Sequence, residues 1–245
     1  MNKDKIYQNK SDEKPFCFNK EVAKVFPDML QRSIPGYAAT IDAIRLLAAR
    51  YVKAGTNCYD LGCSLGASTI AIRQGITAPK CKIVAVDNAT AMIERCRNII
   101  AEDDRQFSPE TAVTIVENDI RDIEITNASM VVLNYTLQFI RKADRNPLMQ
   151  SIHEGLNNDG LLIMSEKVVD ENQEIEQLLV DLHHEHKHRN GYSKLEISRK
   201  RSSLENVLVP ETIAAHQERL SKAGFNHYAV WQRHLNFASF IAIKK

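Results

Sequence analysis

A chain of 245 residues that is 44% hydrophobic and 26% charged, with only nine glycines and seven prolines, is balanced like a folded globular protein; collagen-like and largely disordered classes are excluded. At this length about 70% of the unfolded surface is buried on folding, so no disulfide or metal staple is needed. A net charge of +1 argues against a binder that relies on counterion release, and no direct nucleic-acid binding is expected.

No apolar run approaches the ~20 residues of a membrane helix, and the opening MNKDKIYQNKSDEKP has no apolar core to serve as a signal; a cytoplasmic protein without membrane contact is expected. Five cysteines without a CxxC pair read as reduced thiols. Residues 1–15 are polar and aperiodic and read as a mobile tail, with a single α/β domain over 16–245. The helical pattern from Asn19 is expected to break at Pro27 and again at Pro35-Gly36. A stronger helix follows from Tyr37 to Tyr51.

Strands then alternate with helices. Strands are predicted at Asn57–Leu61, Lys82–Asp87, Ala112–Glu117, Ser129–Asn134 and Gly160–Ser165, with helices at Gly66–Gln74, Ala91–Asp104 and Lys142–Leu156 and a shorter one after Asp119. This alternation implies βαβ units and a mostly parallel sheet. A mostly helical stretch over 171–223, ending at Gly224, includes an insertion at about 171–210. Two final strands, Tyr228–His234 and Phe237–Ile243, are joined too closely for a crossover and must form an antiparallel hairpin.

The chemistry concentrates where strands end. DLGCSLG, Asp60 to Gly66, joins the first strand to a helix. Glycines there let backbone approach a ligand, and the spacing Gly62-x-x-x-Gly66 departs from the GxGxxG of dinucleotide sites. Asp87 closes the second strand, where a carboxylate suits the two hydroxyls of a ribose. Asp119 and Ile120 follow the third strand and suit an adenine. Asn134 ends the fourth strand and faces the same crevice. In its strand plan and in these marks the chain resembles the class I S-adenosylmethionine-dependent methyltransferases, and the resemblance implies a Rossmann-like fold holding S-adenosylmethionine.

The segments FPDMLQRSIPGY, DLGCSLGAST, VDNATAMIERC, ENDIRDI, ASMVVLNYTLQF, RNGYSKLEISRKRSSLENVL and AGFNHYAVWQRHLNFASFIAIK together resemble the carboxy-S-adenosyl-L-methionine synthase family, from about residue 16 to the end. The resemblance implies an enzyme that moves a carboxyl group from prephenate to the sulfonium methyl of S-adenosyl-L-methionine and releases phenylpyruvate. The product then serves a partner enzyme that modifies tRNA wobble uridine. It implies that Tyr37, Gly62, Cys63, Ser64, Asp87, Asn88, Asp119, Ile120 and Asn134 line the pocket, that Arg201 grips the added carboxylate, and that the protein is a homodimer in which Arg201 reaches its own or the neighbouring site. It calls for no metal. The alternatives are an ordinary methyltransferase acting on a small molecule or tRNA, and a non-catalytic S-adenosylmethionine-binding protein.

Two features bear on these expectations. The capping box Ser193-Lys194-Leu195-Glu196 predicts a helix presenting Arg199, Lys200 and Arg201. His184-Glu185-His186-Lys187-His188 satisfies HExxH, but Ile175, Leu178, Leu179 and Leu182 mark the buried stripe of the same helix and no third ligand follows, so zinc chemistry is not expected.

Overall fold

The computed structural model describes residues 2–8, 15–107 and 109–245. In chain order it contains α1 (Lys20–Ser33), α2 (Tyr37–Tyr51), β1 (Asn57–Leu61), α3 (Ala67–Gly75), β2 (Lys82–Asp87), α4 (Thr90–Phe107), β3 (Ala112–Glu117), β4 (Ala128–Asn134), α5 (Lys142–Gly155), β5 (Leu156–Val169), α6 (Gln173–Arg189), α7 (Lys194–Leu204), β6 (Glu211–Thr212), α8 (Ile213–Lys222), β7 (His227–His234) and β8 (Phe237–Ile243). No described helix is long and apolar enough to cross a membrane.

The sheet runs β3-β2-β1-β4-β5-β8-β7, with the short β6 beside β5. Strands β1 to β5 are parallel neighbours, and β8 enters antiparallel against β5 and pairs with β7 as the expected hairpin. Strand order reverses at β1 and β4, which leaves a crevice outside their carboxyl ends. The period-two alternation of each central strand feeds two cores. Met130, Val132, Leu161 and Ile163 pack with Ile44 and Ala48 of α2 and Ile72 of α3. Val131, Leu133, Leu162 and Met164 pack with Leu148 and Met149 of α5 and Leu220 of α8 on the other face. Burying side chains of this kind stabilises by about 1.5 to 3 kcal/mol each.

Helix α8 ends as the sequence indicates. Gly224 takes φ +106, and the amides of Gly224 and Phe225 donate to the carbonyls of Ser221 and Leu220, which satisfies the last turn.

Three expectations need correction. Pro27 does not break α1: it sits inside a continuous helix whose start is capped by the Asn19 side chain and whose buried face, Val22, Ala23, Phe26 and Met29, packs on Leu65 and Met92. That packing outweighs the roughly 3 kcal/mol a proline costs inside a helix. Strand β5 begins at Leu156, directly after α5, and not at Gly160. The expected tail is anchored at residues 2–8, while Met1 and residues 9–14 lie outside the described residues. Asp4 and Tyr7 are buried; the Tyr192 hydroxyl donates to Asp4 at 2.6 Å, and the Tyr7 hydroxyl bonds that of Ser203 at 2.9 Å.

Candidate active site

The turn after β1 is built from backbone. Gly62 and Cys63 both donate their amides to the Val86 carbonyl, at 2.8 and 2.9 Å, and tie the turn to β2. Gly62 has φ +85, and a Cβ there would overlap the Thr136 side chain. Ser64 is also left-handed, at φ +49, and Gly66, at φ +86, opens α3. Beneath the turn Asp60 is buried and accepts from Thr69 Oγ1 at 2.6 Å; burial pushes its carboxyl up to about 7.

Asp87 ends β2 with each carboxylate oxygen accepting one amide at 2.9 Å, Oδ2 from Ser64 and Oδ1 from Ala89. Burial raises its pKa in spite of those bonds. Asp119 caps a short 3-10 turn at Ile120–Asp122 and accepts from Arg121 Nε and Nη2 at 2.9 and 2.7 Å; these bonds hold its carboxyl below the usual range. Asn134 donates to Ser68 Oγ at 3.2 Å, and its Oδ1 is buried with no partner among the described residues. Tyr37 opens α2 with its ring 6.2 Å from that of Tyr135, and burial raises its phenol.

These features converge on one cavity of about 670 Å³, within the range of small-molecule sites. Tyr37, Gly62, Cys63, Ser64, Asp87, Asn88, Asp119, Ile120 and Asn134 all line it. They suit an adenosyl amino acid: carboxylate for ribose, an apolar residue with carboxylate for the base, and an orphaned acceptor for an amino group. Arg201 is the exception. It is exposed and does not line the cavity of its own chain, although its charge is felt at Lys167 and His184. Arg199, two residues earlier, donates to the carbonyls of Tyr7 and Gln8.

Sequence reasoning missed a basic wall. Lys167 of β5, His183 and Lys187 of α6 and Lys200 of α7 line the same cavity. The reading of α6 is inverted by the structure: Ile175, Leu178 and Leu182 are 44%, 53% and 38% exposed, whereas His183 and Lys187 are buried. The i,i+4 spacing of His183 and Lys187 was the available signal. Of the two histidines of the HExxH match, His188 meets the Tyr192 carbonyl through Nδ1, and between them His186 Nε2 meets the Asn190 side chain.

The sequence matches the methyltransferase-domain family over residues 59–160. It is 54% identical to a carboxy-S-adenosyl-L-methionine synthase of Trichlorobacter lovleyi over 229 residues, which cover 94% of this chain and 93% of that protein. It is 52% identical to the synthase of Aliivibrio fischeri with the same coverage. Among solved structures, one from Methanococcus maripaludis, assigned as an S-adenosyl-L-methionine-dependent methyltransferase, superposes with a TM-score of 0.61 at 22% identity, covering 96% of this chain and 98% of that one.

Proposed function

The chain belongs to the carboxy-S-adenosyl-L-methionine synthase family, and on that premise we propose that it transfers a carboxyl group from prephenate to the methyl group of S-adenosyl-L-methionine. The observation that carries this reading is the convergence of the strand-end residues on one cavity that α1, α2, α6 and α7 also wall. Such walls favour two small reactants over a polymeric acceptor.

In this reading Asp87 accepts from the ribose hydroxyls, Asp119 and Ile120 hold the adenine, and the Gly62–Ser64 turn with Asn134 holds the amino-acid part. The donor's ring carboxylate leaves as carbon dioxide and its hydroxyl as hydroxide when the ring becomes aromatic. The hydroxide takes one methyl proton and becomes water, and the methyl carbon bonds to the carbon dioxide. Atoms and charge then balance as phenylpyruvate, water and the carboxylated sulfonium, with no protein base. The protein aligns and desolvates the partners.

The product carries one more negative charge than S-adenosylmethionine, and Arg201, exposed on α7, is proposed to meet that carboxylate from the neighbouring copy of a homodimer. The product is further proposed to feed a tRNA-modifying partner in the cytoplasm.

The test is to supply purified protein with S-adenosylmethionine and prephenate. The expected products are phenylpyruvate and a nucleoside heavier by one carbon dioxide by mass spectrometry. Untouched prephenate, with methylation of an added acceptor, would replace this reading with that of a methyltransferase.

A further inference from the structure

Helix α6 is folded against its own hydrophobic pattern. It turns Leu178 and Leu182 outward and buries Lys187 and His183 against the cavity. Lys187 makes no hydrogen bond or ion pair with any described residue. Lys167 has no hydrogen-bonded or ion-paired carboxylate among those residues either, although Glu176 and Arg201 act on it from a distance. Lys200 donates only to Ser33 Oγ, at 3.2 Å, and senses Asp4 and Arg32. Asp4 is itself occupied by Tyr192 and by the Ile6 amide.

Ser33, the last residue of α1, joins this wall together. Its carbonyl faces His183 Nε2 at 2.8 Å while its hydroxyl accepts from Lys200. Burial lowers His183 to about 2, so the imidazole is neutral and Nε2 carries the donated hydrogen.

Three ammonium groups from three elements therefore share one cavity. Desolvation, and then repulsion from Lys200 and Lys167, lowers Lys187 to about 7, while desolvation lowers Lys200 to about 8 with Arg32 adding to the shift and Asp4 opposing it. Folding retains such an arrangement when a ligand supplies the missing charge.

We propose that Lys167, Lys187 and Lys200 are the receptor for the carboxylates of the carboxyl donor, and that they select a dianionic donor over a neutral or singly charged one. This rests on the reaction proposed above. The methionine carboxylate of the other reactant is a competing occupant, and the test separates the two.

The experiment compares wild-type protein with Lys187→Met and Lys167→Met. For each, the affinity for S-adenosylmethionine and for phenylpyruvate is measured by calorimetry, the kinetics with prephenate are recorded, and the melting temperature is taken without ligand. Expected are an unchanged affinity for S-adenosylmethionine and a weaker hold on phenylpyruvate. The prephenate KM should rise by roughly 30-fold or more, the loss typical of a truncated buried charge pair. The melting temperature of Lys187→Met should rise, because an uncompensated buried cation is removed. Lys187→Arg should recover part of the KM.

Weaker binding of S-adenosylmethionine by the Met variants would place the lysines on the methionine carboxylate and overturn the proposal. Wild-type kinetics in both Met variants would overturn it as well. If wild-type protein binds phenylpyruvate through these lysines yet never turns over prephenate, the receptor stands and the transfer reading fails. Binding of neither acid overturns the receptor.

Discussion

The Asp87 carboxylate accepts the Ser64 amide on Oδ2 and the Ala89 amide on Oδ1, and the Asn88 amide also acts on it, which fixes the group at the end of β2 on the wall of the cavity. Replacing Asp87 by Ala should weaken S-adenosylmethionine binding by about 1.5 to 3 kcal/mol, the range for hydrogen bonds to a charged group. Calorimetry at unchanged secondary structure checks this, and equal affinity removes Asp87 from the site. Lys187 makes a different prediction, on stability. Its pKa falls from 10.5 in the unfolded chain to about 7 in the folded one, chiefly by desolvation and then by Lys200 and Lys167. A depressed folded pKa contributes stability that is present above the unfolded value and lost as pH falls toward the folded one. Lys187→Met should therefore gain most over wild type near pH 7, and the gain should vanish as pH approaches 10.5. Melting curves of both proteins across that interval measure the difference. A gain that does not change with pH would mean that Lys187 is not held as a desolvated cation.

At the scale of elements, the β1 turn links backbone conformation to binding. Gly62→Ala must accept both φ +85 and overlap with Thr136, a combination that costs about 1 to 3 kcal/mol. Because the same turn supports the Ser64 amide on Asp87, nucleoside affinity should fall together with the melting temperature. Adding Thr136→Ala removes the two nearest atoms but not the left-handed φ, so only part of the stability should return; full recovery would show that strain plays no part. The parallel strands and their terminal carboxylates were legible in the sequence, because buried alternation and a Gly turn are local signals. The nine-residue α3 and the C-cap at Gly224 were legible for the same reason. What escaped depends on distant partners. Pro27 reads as a breaker until Leu65 and Met92 are seen beneath α1, and residues 2–8 read as a tail until Tyr192 and Ser203 are seen to bind them. The two residues of β6 have too little length to show a period. On α6, periodicity correctly marks an apolar face at Ile175, Leu178 and Leu182 but cannot say what covers it. The basic wall lies opposite that face, so misassigning one concealed the other.

For the whole molecule, an exposed apolar stripe on α6 next to a near-neutral net charge of +1 invites self-association. Ile175, Leu178 and Leu182 recur at helical spacing, and the adjoining α7 adds exposed Leu195 together with the exposed Arg201. The proposed homodimer would cover the stripe with a second copy and carry Arg201 toward the neighbouring cavity. Leu178→Asp places a charge in that contact and should convert the dimer to monomer by analytical ultracentrifugation. A monomeric wild-type protein would end the proposal at once. Whether Arg201 crosses between subunits is decided by complementation. Asp87→Ala and Arg201→Met should each be strongly impaired alone. In a mixed dimer, the subunit that keeps Asp87 can receive Arg201 only from its partner, so a crossing arginine restores one site of two. Random exchange makes about half of the dimers mixed, and recovered phenylpyruvate release should approach about a quarter of the wild-type rate. An arginine that serves its own chain leaves both sites of the mixed dimer defective. In that case the mixture stays as slow as its parents even though subunits exchange.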